Sequence, residues 1–195
     1  MIEQDERTDR AAPMAPAPMR YNDDGSAAWG EMWDSYCILA LDGGPPHRGT
    51  MLRAEPDADT ASAGYQRAVA EIIRGIGLVS ELPAAPAMPG WVTVTCQTAG
   101  MARWLADAIG EENVDARASG TTLLVPTGAS YTLTGEVKNV ITAVAKTTHY
   151  WREHLPLEVK QALEVQERLG SVRDWFVGWL RRRPAGADAR AGQRA

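Results

Sequence analysis

The chain has 195 residues, 45% of them apolar, and a net charge of -5, which is typical of a globular protein with one substantial core. The negative charge argues against a protein whose main task is to bind nucleic acid, because such a protein needs a basic surface to neutralise phosphates. The first residues are acidic and polar, unlike a secretory signal peptide, and no apolar run reaches the roughly 20 residues of a membrane-spanning helix. We therefore expect a cytoplasmic protein.

Both ends of the chain lack hydrophobic periodicity. Residues 1–20 and 184–195 are rich in Pro, Ala and charge, which predicts disordered tails. The only cysteines, Cys37 and Cys96, have no metal-ligand spacing, which favours a reducing compartment and a place in the apolar core for both. We predict no metal site, and the sequence names no cofactor.

The first half of the ordered region, 28–82, is predicted to run helix, turn, strand and helix. A helix over 28–41 would end at GGPP, where the glycines cap it and the prolines stop it. GTMLRAE, residues 49–55, has the composition of a strand. Apolar residues spaced three and four apart then predict a helix over 65–79.

The second half follows a Pro-rich connector, PAAPAMPG, at 83–90. WVTVTC is rich in β-branched residues and predicts a strand. The further predicted elements are a helix over 101–113, two strands within 114–127 that turn at Ser119–Gly120, and a helix that opens near Gly135 and continues to about 154. These elements predict an α+β fold with a small antiparallel sheet covered by helices.

A shift of 71 residues aligns the two halves without a gap. It matches Trp33 with Trp104, Gly49–Thr50 with Gly120–Thr121, and Gly64 with Gly135. Nine identities occur over the 42 columns from 28 to 69, where composition alone gives about three. We therefore predict a degenerate tandem duplication, about 28–82 and 99–155, within a domain that spans 21–156. The alternative is chance similarity between two generic helix-strand-helix patterns.

His47 and Arg48 lie in the loop DGGPPHRGT. The two prolines before them fix the backbone, and the glycines of the loop permit a sharp turn. A rigid loop that presents Arg and His is suited to bind a phosphate or carboxylate, and the histidine could act as an acid or base. The pattern is neither a P-loop nor a dinucleotide fingerprint. The alternative is that both residues belong to a solvated turn that ends a helix.

A second candidate site lies on the helix that follows Gly135. At 100° per residue, one face opposite the apolar stripe carries Lys138, Thr142, His149 and more loosely Lys146. Such a face could bind an anionic ligand, or it could be the solvated side of an ordinary amphipathic helix. His149 and His154 are five residues apart, which does not match the i, i+4 spacing of helical zinc pairs.

The pattern changes after Pro156 to one long helix over 157–183, in which Gly170 marks a candidate kink. Its end, WFVGWLRRR, suits an amphipathic helix that binds a membrane surface or the groove of a partner. The alternatives are a helix that folds back on its own domain or pairs in a homodimer. The candidate docking residues are Trp175, Phe176, Trp179, Leu180, Arg181, Arg182 and Arg183.

Two functional hypotheses follow. In the first, the protein is a non-catalytic accessory or interaction protein that docks a partner, or a second copy of itself, through its Trp- and Arg-rich C-terminal helix. In the second, it is a ligand-binding protein or enzyme that holds a small anionic compound between its halves. The residues of that second site would be His47, Arg48, Lys138, Lys146 and His149. No catalytic constellation in the sequence decides whether it is an enzyme.

Overall fold

The computed structural model describes residues 19–32 and 49–181, with the backbone described over 171–181. The fold is α+β, as predicted: a small antiparallel sheet is packed against helices. One hydrophobic core joins the sheet, the helices and the segment around Trp29. The Cys37 and His47–Arg48 predictions lie outside the described residues.

The sheet has four strands in the order β1-β2-β4-β3, and all neighbouring strands are antiparallel. β2 and β4 form its centre, with Val92 opposite Val125 and Val94 opposite Leu123, all four fully buried. β3 and β4 are joined by Gly120–Thr121, where Gly120 has a left-handed φ of 55°. The strands are β1 (Ala84–Pro86), β2 (Trp91–Thr95), β3 (Arg117–Ser119) and β4 (Thr122–Pro126).

Strand β1 occupies the predicted Pro-rich connector. Pro86 is tolerated there because β1 is an edge strand, where a missing N–H disrupts no central ladder. The segment that separates the predicted halves is therefore itself part of the sheet.

The described residues contain four long helices in addition to the sheet: α1 (Ala63–Ser80), α2 (Ala99–Glu111), α3 (Lys138–His149) and α4 (Leu157–Arg181). Ser62 and Thr98 cap α1 and α2 by accepting hydrogen bonds from the third residue of each helix. Single turns of π-helix, Leu133–Val137 and Tyr150–His154, flank α3. α4 continues through Gly170 without interruption.

Helix α3 is the central helix of the protein. Its apolar residues Val140, Ile141 and Val144 are buried, and so are its polar residues Thr142 and Thr147. α1 packs closely against it, because Gly75 of α1 lies directly over the Ile141 side chain. α3 therefore lacks the broad solvated face of a surface helix.

The predicted strand at 49–55 is wrong. Leu52 forms one isolated parallel bridge with Val114. Glu55 instead connects this segment to the loop after β4 through hydrogen bonds. The Glu55 carboxylate accepts hydrogen bonds from the backbone N–H of Ala129, at 2.8 Å, and from Ser130. All four strands lie between 84 and 126, and the β-structure in the described part of 28–82 is limited to the single bridge of Leu52. The structure therefore does not show a duplication.

Candidate functional site

The lysines of the predicted anion site lie in two different environments. Lys138 is only 4% exposed, and burial lowers the pKa of its amine. Lys146 forms an ion pair with Glu112 at the end of α2, and both side chains are largely buried. The charge of Lys146 is therefore already neutralised by the protein. A composite site with His47 and Arg48 remains a prediction, since those two residues lie outside the described part of the chain.

His149 and His154 come together, although an α-helical spacing of five would separate them. The π-helical turn Tyr150–His154 widens the helix, so that residues five apart share a face. The two imidazole rings meet edge to face with centroids 5.2 Å apart. Tyr150 packs against His154 on one side and stacks on Trp104 on the other, at 5.4 and 6.0 Å. Nothing in the sequence periodicity signalled this cluster.

This aromatic cluster does not extend into a metal site. Within 19–32 and 49–181, no group of three or more His, Cys, Asp or Glu side chains is placed to hold a metal ion. Cys96 is buried, and burial raises the pKa of its thiol to about 11. A thiol with that pKa is protonated at neutral pH and is a poor nucleophile, so Cys96 is a core residue, as expected.

A groove of about 710 Å³ opens between α1 and the loop that follows β4. Its wall contains one fixed polar network. The Glu71 carboxylate accepts hydrogen bonds from Trp29 Nε1 at 2.7 Å and from Arg74 Nε at 2.9 Å. Arg74 also donates to the carbonyl of Ala27 at 2.7 Å, which ties residues 25–27 to α1.

The charges of this network compensate each other. Burial tends to raise the pKa of Glu71, but the hydrogen bonds from Arg74 and Trp29 outweigh it and hold that pKa below its ordinary value. The hydrogen bond to Glu71 likewise raises the pKa of Arg74. Arg67 is exposed at the groove and contributes a further positive charge. Sequence reasoning missed the groove because its residues come from three separate segments, 25–27, 64–74 and 129–137, that only the fold brings together.

Helix α4 is attached to the body through its first half. The Glu164 carboxylate accepts a hydrogen bond of 2.7 Å from the backbone N–H of Gly100, in the first turn of α2, where a negative charge is favoured by the helix dipole. Leu163 packs against the core. Lys160 lies 5.7 Å from the centre of the Trp151 ring and donates to the carbonyl of Arg152. These contacts fix one face of α4 against the body.

The opposite face of α4 carries exposed apolar side chains. Val165 is 55% exposed and Leu169 is 65% exposed. Successive helical residues are rotated by about 100°, so Val165 lies about 200° around the helix from the packed Leu163. Val165 and Leu169 therefore point away from the body. The docking residues predicted from the sequence lie nearer the C-terminus and do not include these two. Their four-residue spacing, which places them on one face of a helix, is the sequence feature that could have identified them.

The apolar spacing of Val165 and Leu169 continues along the sequence. Val172, Phe176 and Trp179 follow at intervals of three, four and three residues, and the α4 backbone is helical as far as Arg181. We call this series, Val165, Leu169, Val172, Phe176 and Trp179, the α4 stripe. It contains two of the predicted docking residues. Trp175, Leu180 and Arg181 lie in the same helix, whereas Arg182 and Arg183 lie outside the described residues.

Comparison with models of known protein families gives no match, and comparison with curated proteins gives no significant match. In the part of the chain that the structure describes, no helix is both long and apolar enough to span a membrane. Function is therefore inferred from the residues of this chain alone.

Proposed function

We propose that this protein is a non-catalytic interaction protein that docks a protein partner through the α4 stripe. The observation that carries the proposal is the exposure of Val165 and Leu169 on the face of α4 turned away from the body. Large apolar residues in a continuous row on a surface helix are typical of a helix that packs against a partner. Leu163 and Glu164 hold the other face of the first half of α4, so Val165 and Leu169 are presented in a fixed direction.

The spacing of the stripe supports a helical partner. Alternating intervals of three and four residues place side chains along one seam of an α-helix, which is the pattern that packs as knobs into holes against another helix. From Val165 to Trp179 the seam is about 21 Å long, at 1.5 Å per residue. A row of this length is enough to bury several large side chains in a single interface.

The hypothesis of an anionic ligand between the halves has less support. Of its residues within the described chain, Lys146 is paired with Glu112, Lys138 is buried, and His149 packs against His154. The groove beside Arg67 is a different location from the one that the sequence suggested. We therefore favour the interaction hypothesis.

The proposal is tested by capture of partners from cell extract with tagged wild-type chain and with the Leu169→Glu variant. A charge at this exposed position leaves the monomer fold intact but cannot be buried in an apolar interface. We expect the variant to capture at least tenfold less partner than the wild type does. This holds whether the partner is another protein or an untagged copy of the chain. Quantitative mass spectrometry measures the difference.

The matched control is Leu78→Glu, the same substitution at a leucine that is 54% exposed on α1, away from the stripe. This control should capture as much as the wild type. Equal capture by the wild type and the Leu169→Glu variant would contradict the proposed function.

A further inference from the structure

We infer that the groove beside α1 binds a small organic monocarboxylate, whose carboxylate pairs with Arg67 and whose apolar part lies on the groove floor. The lining residues come from 25–27, from 64–74 of α1 and from 129–137, and we call the site the Arg67 groove. Its volume of about 710 Å³ falls within the range of roughly 300–1,000 Å³ that is typical of small-molecule sites. This surface is distinct from the exposed face of α4, and the proposed docking function does not require a ligand here.

Arg67 is the charged residue of the groove that the protein leaves without a partner. Arg67 and Glu71 are four residues apart on α1, a spacing at which an arginine and a glutamate commonly pair. Here the Glu71 carboxylate instead accepts hydrogen bonds from Trp29 Nε1 and from Arg74. Among the described side chains, none forms a hydrogen bond or ion pair with the exposed Arg67 guanidinium. Its N–H donors are therefore available to a ligand.

The charges of the lining favour a ligand with a single negative charge. They are those of two arginines and one glutamate, Arg67, Arg74 and Glu71. Arg74 and Glu71 offset each other in their ion pair, so the charge of Arg67 is in excess. A guanidinium presents its N–H groups in a fork that matches the two oxygens of a carboxylate. The Glu71 carboxylate, one helical turn from Arg67, disfavours a second negative charge on the ligand.

Two further carboxylates, Glu55 and Glu136, lie next to the groove but not in its lining. Glu55 accepts hydrogen bonds from the backbone N–H of Ala129 and from the Ser130 hydroxyl. Glu136 accepts them from the backbone N–H and the hydroxyl of Thr132, each at 2.9 Å. These bonds hold the loop that forms one wall of the groove. The charges of both carboxylates also oppose a dianionic ligand.

The floor of the groove is apolar, and its two ends are fixed. Small and medium-sized buried residues form the floor: Ala27, Ala68 and Val137. At the start of α1, a Cβ on Gly64 would lie only 2.7 Å from the carbonyl oxygen of Ala129, so the helix and the loop touch there. At the other end, Arg74 donates to the carbonyl of Ala27 at 2.7 Å. A site whose walls are already in place loses little conformational freedom when it binds a short hydrocarbon chain.

A titration of the full chain with hexanoate, followed in proton–nitrogen correlation NMR spectra, tests the site. We expect saturable shifts of the backbone amides of 64–71 and 129–133, with a Kd on the order of 1 mM, which is ordinary for a small ligand with one exposed ion pair. Hexanamide has the same chain without the charge and should bind about fivefold more weakly. The absence of saturable shifts at these amides up to about 20 mM hexanoate would overturn the site.

The Arg67→Gln variant tests the ion pair itself. Arg67 is exposed and holds no other described side chain, so the variant should fold as the wild type does. We expect its affinity for hexanoate to fall about fivefold, to the level of hexanamide. The matched control is Arg103→Gln, at an exposed arginine of α2 outside the lining, which should bind hexanoate as the wild type does. Equal affinity of the wild type and Arg67→Gln for hexanoate would overturn the pairing.

Hexyl phosphate, which has the same chain and nearly two negative charges at neutral pH, tests the ligand class. We expect it to bind more weakly than hexanoate, because Glu71, Glu55 and Glu136 surround the site. Tighter binding of hexyl phosphate would overturn the monocarboxylate assignment in favour of a phosphate ester. Failure of any of these titrations leaves the docking function of α4 standing, because the capture experiment depends on Leu169 and not on the groove.

Discussion

Lys146 and Glu112 are 34 positions apart in the sequence, and the fold brings them into a largely buried ion pair between α3 and α2. The pair explains how a lysine that sequence patterns assign to a ligand site is accommodated on a buried helix. It could not be predicted from the sequence, because the partner carboxylate is supplied by the packing of two helices.

We expect Lys146→Ala to lower the free energy of unfolding by roughly 3 kcal/mol, because Glu112 would be left buried without its lysine. Urea denaturation at pH 7 measures the change. The control is Arg103→Ala, which removes an ion pair to Asp107 in which both side chains are more than half exposed. That substitution should cost at most about 1 kcal/mol. Equal losses in the free energy of unfolding for the two variants would show that the buried ion pair contributes no more to stability than the exposed one.

Glu71 makes stability depend on pH. The pKa of Glu71 is lower in the folded protein than its ordinary value of 4.5, so the fold favours the ionised carboxylate. The resulting stability is fully present above pH 4.5 and is lost as the pH falls through the lower, folded value. Glu71→Gln should therefore be less stable than the wild type at pH 7, with a difference that shrinks toward pH 3. Urea denaturation measures the difference in the free energy of unfolding between the two proteins. If this difference stayed constant from pH 7 to pH 3, Glu71 would not be a source of the pH dependence.

At the scale of elements, α1 and α3 approach closely because Gly75 has no side chain. A Cβ at this position would overlap the buried side chain of Ile141. We expect Gly75→Ala to destabilise the protein by about 1–3 kcal/mol, since a packed core resists added volume. The thermal unfolding midpoint measures the effect, and Ile141→Val should partly restore it.

Gly77, two residues further along α1, is the matched control, because a Cβ there would meet no atom within 4 Å. Gly77→Ala should stabilise the helix by up to about 1 kcal/mol, through the higher helix propensity of alanine. If both glycine substitutions changed the midpoint in the same direction, close packing at Gly75 would not be the cause.

Regular elements with strong periodicity were predictable from the sequence. Strand β2, the hairpin of β3 and β4, and helix α1 agree with the alternation or the three-and-four spacing of their residues. β1 was missed because Ala85 and Pro86 have weak strand propensity, and their pairing with β2 is a tertiary effect. The His149–His154 contact was missed because a π-helical turn leaves no mark in α-helical periodicity.

For the whole molecule, the central feature is that one face of α4 is held by the body and the other is presented outward. The sequence alone indicated an amphipathic C-terminal helix with candidate docking residues near its end. Which face is free depends on the contacts of Leu163 and Glu164 with the rest of the protein. The structure therefore adds Val165 and Leu169, nearer the N-terminus of α4, to the candidate docking residues.

The most direct test of this account is the capture of partners by the full chain and by its Leu169→Glu variant at equal concentration. The account predicts that a single charge on the exposed face of α4 lowers capture at least tenfold, whereas the Leu78→Glu control captures as much as the wild type. Equal capture by the wild type and the Leu169→Glu variant would contradict a docking role for this face.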